Sequence, residues 1–208
     1  MDMIRSRWVI IEPAVAFLLI MLYIWRLRYT APLAWIAIVA FLILTHLVRG
    51  ERVSHLGFRW NNFKVCLEVL GPAVALIALF LIAGGVLLQT TRRMTLEQGL
   101  LLIVGYCIWG LFQQYLLNGY LANRIAAIST ERRVPWVAAT AFSAAHLPNW
   151  FLMLVTFVLG YYSTQLYMKY RNVYALGIAH GIIGSLLFVV VPDSVSHNLR
   201  VGSGFFLH

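Results

Sequence analysis

Charged residues are scarce in this sequence. Only 11% of its 208 residues are Asp, Glu, Lys or Arg, and only 7 residues are acidic, whereas about 25% of an ordinary soluble domain is charged. Apolar residues make up 62% of the chain. So few charges cannot cover a water-exposed surface, and so many apolar side chains are not typical of a disordered chain, which excludes both classes. The composition predicts a polytopic helical membrane protein.

Cysteine is also rare. Cys66 and Cys107 both lie in apolar stretches, which is typical of buried free thiols. Two such cysteines indicate neither a disulfide framework nor a zinc site.

Long apolar runs are abundant. A transmembrane helix needs about 20 mostly apolar residues, and the sequence offers seven candidate spans, at 8–25, 31–48, 66–88, 96–117, 134–148, 151–168 and 173–191. We expect the fourth to continue as helix to about residue 128, and Pro148 to close the short fifth span. Because only short connections remain, the chain is predicted to be a single membrane domain, residues 1–208. Its fold class is then all-α, a polytopic transmembrane helical bundle of about seven spans.

The basic residues form most of the charge. Lys and Arg number 16 and the net charge is +9, which we interpret as loop cations that orient the chain and contact lipid headgroups, not as a nucleic-acid surface. With seven spans, five cations lie on one side, namely Arg26, Arg28, Arg92, Arg93 and Arg200, and the other eleven lie on the side of the N-terminus. The positive-inside rule therefore predicts a cytoplasmic N-terminus. The expected location is the plasma membrane of a prokaryote.

Polar side chains at hydrocarbon depth are the candidate functional residues, because they are costly in a membrane. The fourth, fifth and seventh spans carry them: Gln113, Gln114, Asn118, Ser143, His146 and His180. At 1.5 Å per residue, His146, His180 and Gln113 lie about 18, 12 and 22 Å from the same predicted face. These groups are therefore expected to meet near mid-membrane. Glu12 and Glu68 lie nearer the ends of their spans.

Each of these residues also has a structural interpretation. Gln114 and Asn118 share a helix face and can join neighbouring helices by hydrogen bonds, and a lone histidine often does the same. A stripe of small residues in the last span is typical of close helix packing; it consists of Gly177, Gly181 and Ser185.

The order of the motifs is more specific than any one residue. The strings are LFQQYLLNGYLANRI at 111–125, AFSAAHLPN at 141–149 and NVYALGIAHGIIGSLL at 172–187. This arrangement resembles the CPBP (Abi) family of intramembrane proteases, which includes the type II CAAX prenyl endopeptidases. The family motifs are a Glu-Glu pair followed three residues later by Arg, then FxxxH, then HxxxN. The segment LGFRWNNFK at 56–64 also resembles the family, so the similarity covers about residues 56–190.

The sequence departs from the family at the motif positions that carry out the family's chemistry. The resemblance implies that the first Glu activates a water molecule and that the two His and the Asn orient the water and stabilise the oxyanion. Here Gln113 and Gln114 replace the Glu pair, Asn118 replaces the Arg, and Gly184 replaces the Asn. A carboxamide cannot accept a proton near neutral pH, so Gln cannot act as the base. Losing the Arg together with the carboxylates is coherent, because a buried Arg would then be unpaired.

Hydrolysis would then need another base. His146 can take this role, with Gln113 or Gln114 holding the water, His180 stabilising the oxyanion, and Asn149 among the supporting residues. Ser143 stands one helical turn from His146, so a Ser–His nucleophile is an alternative, although a packing role is favoured. Glu68 is a further candidate, but it lies near the end of its span. Two His and two Gln make a poor zinc site, so no metal and no other cofactor is expected.

The predicted function is therefore an endopeptidase that cleaves a membrane-associated peptide or protein, in processing of a CAAX-type tail, a leader or a sorting signal. The alternative is a non-catalytic family member that acts as a membrane binding, chaperone-like or immunity protein. A small transporter is a third class, but no inverted repeat supports it.

Overall fold

The structure is a computed structural model that describes the backbone of residues 2–207 and the side chains of residues 8–207. In that part of the chain all regular structure is helical, which confirms the all-α prediction. We label the main helices α1 (Asp2–Leu22, continuing through Tyr23–Leu27 and Arg28–Thr30), α2 (Ala34–Arg49), α3 (Phe63–Leu87), α4 (Leu96–Gln114, continuing through Tyr115–Ala122 and Asn123–Ala126), α5 (Val134–Ala144), α6 (Trp150–Tyr170) and α7 (Val173–Val190). Short helical turns at Val53–Leu56, Asp193–Ser196, His197–Leu199 and Gly202–Phe206 complete the chain.

Five of these helices are long and apolar enough to cross a membrane: Trp8–Thr30, Phe63–Leu87, Leu96–Ala126, Trp150–Tyr170 and Val173–Val190. The other two predicted spans are shorter helices, α2 with 16 residues and α5 with 11. Eleven residues rise only about 16 Å, roughly half of a hydrocarbon core. Helix α5 ends at Ala144 and not at Pro148, so His146 lies on the turn that follows the helix. The sequence prediction that placed His146 on the helix was wrong. A proline disfavours the α conformation of the residue before it, so the helix ends before Pro148 and not at it.

The connections between helices gather at two opposite ends of the bundle. At one end, which we call the Arg124 end, Asn62 Nδ2 donates to Tyr170 O at 2.5 Å and Asn172 Nδ2 donates to Arg59 O at 2.7 Å. At the other, the Arg92 end, Arg92 N donates to Val189 O at 2.9 Å. This grouping is what alternating up-and-down helices require. The cytoplasmic N-terminus stays a prediction, and Arg5 and Arg7, which contribute to it, lie outside the residues whose side chains are described.

Helix α7 is the centre of the bundle. In its most apolar stretch 56% of the residues are buried, compared with 11% in the corresponding stretches of α1 and α3. Glycines on α7 bring α4 into contact: a Cβ on Gly181 would lie 2.5 Å from Cys107 Cα, and one on Gly177 would lie 2.7 Å from Leu111 Cα. Gly110 of α4 approaches the carbonyl of Gly177 in the same way. The stripe of small residues is therefore the surface along which α4 and α7 pack.

Replacing Gly181 by alanine should push α4 and α7 apart, because the new methyl group would meet backbone and not a movable side chain. Overpacking of this kind costs about 1–3 kcal/mol of stability. Thermal unfolding of the detergent-solubilised protein measures the effect. The matched control is Gly105→Ala on α4, where an added Cβ meets nothing within 4 Å. An equal melting temperature for the two variants would contradict the packing described above.

The outer faces of the helices are apolar. Leu87, Leu96 and Phe80 expose 81%, 81% and 77% of their surface. Exposure of so many large apolar side chains to this extent is rare on a soluble monomer. The chain is therefore an integral membrane protein whose outer helix faces contact lipid.

Candidate active site

Four polar residues of the three motifs line one largely apolar cavity. Its volume is about 950 Å³, and it is bounded mainly by α3, α4, α6 and α7. Gln113, Gln114, His146 and His180 all line it. A second cavity of about 440 Å³ lies between α1, α2 and α4, and it shares Gln113 and His146 with the first. Gln113 and His146 therefore stand where the two cavities meet.

A chain of hydrogen bonds joins α4 to His180. Asn118 Nδ2 donates to Gln114 Oε1 at 2.6 Å, and Gln114 Nε2 lies 3.1 Å from His180 Nδ1. Because an amide nitrogen only donates, Nδ1 of His180 must accept in this arrangement, and its proton is then on Nε2. His180 thus offers an N–H donor on its other edge. The interpretation of Gln114 and Asn118 as helix-joining residues and their candidate site role are compatible.

His146 has the opposite tautomer. Its Nδ1 lies 2.7 Å from the carbonyl oxygen of Phe142, which can only accept, so Nδ1 carries the proton. Nε2 of a neutral His146 is then an unprotonated acceptor. The ring of Phe142 packs against both imidazoles, with centroid distances of 4.9 Å to His146 and 6.0 Å to His180. Within the described part of the chain, neither Nε2 takes part in a hydrogen bond.

Two of the predicted supporting residues have structural contacts. Ser143 Oγ donates to Met153 O at 2.8 Å, so its hydroxyl joins α5 to α6. This contact favours the packing role over a nucleophile. Asn149 is fully buried, and its Oδ1 accepts from Leu152 N at 3.1 Å, which caps the N-terminus of α6.

Gly184 lies beside Tyr106, which fills the space that an Asn side chain would need. A Cβ on Gly184 would stand 2.9 Å from Cδ1 of Tyr106. Tyr106 itself lines the larger cavity. The replacement of the family Asn by Gly is therefore accompanied by a ring that occupies its place.

Glu68 does not reach the cavity. Its side chain is 63% exposed and stands 4.0 Å from Lys64 on the outside of α3. In the described residues no group of three His, Cys, Asp or Glu side chains could hold a metal ion.

A second polar cluster was missed by the sequence analysis. At the Arg124 end, the buried Arg124 donates from Nε to Glu12 at 2.7 Å and from both terminal nitrogens to Glu51, at 2.6 and 2.9 Å. Arg49 also donates to Glu12, at 2.7 Å. His46 Nδ1 lies 2.5 Å from Glu51. We call these five residues the Arg124 cluster; they join α1, α2 and the end of α4.

The helix geometry explains why this cluster was hard to predict. Residues Tyr115–Ala122 form a π-helix, with wider turns than an α-helix. Tyr115 and Tyr120 stand five residues apart, yet both rings pack on His46, at 5.9 and 5.6 Å between centroids. A period of 3.6 residues does not place them on one face. The only signal of this cluster in the sequence was the presence of an acidic residue, Glu12, within the first apolar span.

The Arg124 cluster should make stability depend on pH through Glu51, which lies beyond the end of α2. Burial by itself favours the neutral acid, but hydrogen bonds and charge from Arg124 and His46 outweigh it, so the pKa of the Glu51 carboxyl is lowered. A lowered folded-state pKa stabilises the fold above the unfolded value, about 4.3 for Glu, and this contribution is lost as pH falls below it. The melting temperature should therefore drop on acidification toward pH 3, and it should drop less in Glu51→Gln. Parallel pH profiles for the two proteins would exclude this contribution.

The fold and cavity define an integral membrane protein with a polar site enclosed by helices. The family model described as type II CAAX prenyl endopeptidase Rce1-like matches residues 95–186, a range that contains all three motifs. This match confirms the sequence resemblance to the CAAX-protease family, a family of intramembrane proteases, over residues 95–186. Comparisons with curated proteins and with solved structures gave no match.

Proposed function

We propose that the protein is an intramembrane endopeptidase in which His146 replaces the family carboxylate as general base. The observation that carries the proposal is the hydrogen-bond geometry of two histidines on one cavity, which requires opposite tautomers. His146 offers a free lone pair at Nε2, and His180 offers a free N–H at Nε2. Hydrolysis of a peptide bond needs one group of each kind.

The reaction begins with a water molecule between His146 and the substrate carbonyl. His146 Nε2 takes one proton from the water as its oxygen bonds to the carbonyl carbon. The carbonyl π electrons move to the oxygen, which His180 Nε2–H stabilises by a hydrogen bond. When the oxyanion collapses, the C–N bond breaks, and the proton on His146 passes to the leaving nitrogen. His146 is then neutral again, and the products are a carboxylic acid and an amine.

Gln113 is assigned to water positioning. Gln113, like His146, lines both cavities. An amide can donate a hydrogen bond to one lone pair of a water molecule and accept a hydrogen bond from one of its O–H groups, which orients the water without any proton transfer to the amide. Gln114 and Asn118 act behind His180, because their hydrogen bonds fix its tautomer.

The apolar cavity supports a membrane-associated substrate. Its lining is mostly aliphatic and aromatic outside the motif residues, although Arg28, Lys169 and Arg200 also line it, so an extended segment of a peptide with apolar side chains or a lipid group fits it better than a polar chain does. The candidate substrate classes are CAAX-type tails, leader peptides and sorting signals.

The loss of the Glu pair favours a second candidate, a family member that binds such peptides without hydrolysing them. In that case the hydrogen bonds between Gln114, Asn118 and His180 serve only to join α4 and α7. This protein would be a binding, chaperone-like or immunity protein.

A reconstitution experiment separates the two candidates. The purified protein in liposomes is incubated with one reporter of each substrate class in water enriched in ¹⁸O. The endopeptidase should yield a product whose new carboxyl terminus carries one ¹⁸O atom, because the attacking oxygen comes from water. Saturable binding of a reporter without any product would reject hydrolysis and support the binding candidate.

A further inference from the structure

The C-terminal segment, residues 192–207, forms part of the cavity wall. It follows α7 at the Arg92 end and continues in short helical turns. Leu199, Arg200 and Val201 line the larger cavity, and Val201 also lines the smaller one. The segment therefore closes the site from the Arg92 end, beside the place where the two cavities meet.

The same segment holds the turn that carries His146. Asn149 Nδ2 donates to the carbonyl oxygens of Ser196 and Arg200, at 2.8 and 3.0 Å. Gly202 N donates to Leu147 O at 2.7 Å. Because His146 lies beyond the end of α5, the helix does not fix it from both sides. These three hydrogen bonds fix residues 147 and 149 instead.

Further contacts attach the segment to the rest of the bundle. Ser203 Oγ donates to Trp25 O at 2.8 Å, and Gly202 lies so close to α1 that a Cβ would stand 2.5 Å from Cγ2 of Ile24. Gly202 also has a left-handed φ of +59°, which a glycine adopts without strain. Arg92, before α4, contacts both Asp193 and Asn198.

The backbone between these attachments is strained. The backbone φ angles of three consecutive residues lie between 49° and 54°, in the left-handed region that residues other than glycine rarely adopt; these are His197, Asn198 and Leu199. Such a conformation persists only where surrounding contacts hold it. The hydrogen bonds to Ser196 and Arg200 flank this stretch on both sides and can supply that constraint.

We propose that the C-terminal segment is a fixed positioning element of the active site, in which Asn149 and Gly202 hold the His146 turn against the cavity. Asn149 and Gly202 are positioning residues and do not touch the substrate. The inference rests on the proposed function for its effect on turnover, but not for the closure of the cavity.

The first test separates positioning from helix capping. Asn149→Ser keeps a good N-cap residue for α6 but is too short to donate to both carbonyls of the segment. Gly202→Val acts from the other side, by forcing the segment away from Ile24. A misplaced catalytic group can lower kcat by up to about 100-fold, so kcat should fall in both variants while KM stays near the wild-type value. The matched control is Phe206→Ala, at an exposed position of the same segment, which should behave as wild type.

The second test does not need turnover. A single cysteine is placed at Gln113 in a background carrying Cys66→Ala and Cys107→Ala, and its rate of alkylation by a membrane-impermeant maleimide is measured on folded, monodisperse protein. Gly202→Val and Asn149→Ser should raise the rate about tenfold, which corresponds to losing one or two net hydrogen bonds. Ser203→Ala, a milder change at Trp25, should give a smaller rise. An unchanged rate in all three would overturn the proposal, as would a rise in kcat, which would make the segment an inhibitory plug. If the variants show increased alkylation but the wild-type chain has no turnover, only the proposed function is rejected.

Discussion

Replacing His146 by alanine should remove turnover almost completely. A positioned general base contributes about 10²–10⁴-fold to rate. His146 lines the cavity, and because its proton is on Nδ1, its Nε2 is free to accept a proton. The same reporters used for ¹⁸O labelling give the rate. The melting temperature should change little, because the one hydrogen bond lost, to Phe142 O, lies within four residues of the same turn. Since the base must be unprotonated, wild-type activity should also decline on acidification.

Two further variants divide the roles within the site. His180→Ala removes the oxyanion donor, and losses of one such donor cost about 10²–10³-fold in kcat. Gln113→Ala should cost less, because it removes water positioning alone. If His146→Ala keeps the cellular phenotype while Gly181→Val, which separates α4 from α7, abolishes it, the protein is a binding protein and the assignment of a base is wrong.

Restoring the family Glu at position 113 should not by itself restore the family mechanism. Asn118 stands where the family has Arg, so the new carboxylate would lack that partner, and the cations that line the cavities with Gln113 are Arg28, Lys169 and Arg200, on other elements. An unpaired carboxyl group in a largely apolar cavity stays protonated and cannot accept the proton from water. Gln113→Glu should therefore show no gain in rate, and a gain would show that another cation compensates.

Sequence periodicity and motif order predicted the helices and the polar motif residues, Gln113, Gln114, His146 and His180, that line the larger cavity. Apolar runs give span positions directly because a bilayer sets their length. The polar residues on α4, α5 and α7 could be placed at similar depth by their rise per residue alone, and the structure brings Gln113, His146 and His180 to one cavity. The small-residue stripe was also readable, since few other patterns allow backbones to approach so closely.

Other features depend on contacts that a linear pattern does not carry. The C-terminal segment has no apolar period, and its position follows from backbone hydrogen bonds to Leu147 and Asn149. The π-helix after Gln114 changes which residues share a face. Glu51 and Arg124 are 73 positions apart. The charges of loop residues predict the orientation of the chain in the membrane but not which of them form ion pairs, so this pairing could not be predicted.

Replacing Arg124 by methionine should give the largest loss of stability. Methionine keeps much of the side-chain volume but leaves Glu12 and Glu51 as partly buried carboxylates without their shared cation. Removing one partner of a buried ion pair costs about 3–5 kcal/mol. The Arg124 cluster holds α1 and α2 against α4, so the loss should appear as separation of this N-terminal hairpin and a lower melting temperature.

A compensated variant tests whether the unpaired charge is the cause. Arg124→Met combined with Glu12→Gln and Glu51→Gln removes the cation and both carboxylates together, and such neutral replacements of buried ion networks are often harmless. The triple variant should therefore recover most of the stability that the single variant loses. Arg132→Ala, at an exposed position of the next loop, is the matched control and should change the melting temperature little. If the triple variant is as unstable as Arg124→Met, the side-chain packing of Arg124 and not its charge holds the hairpin in place.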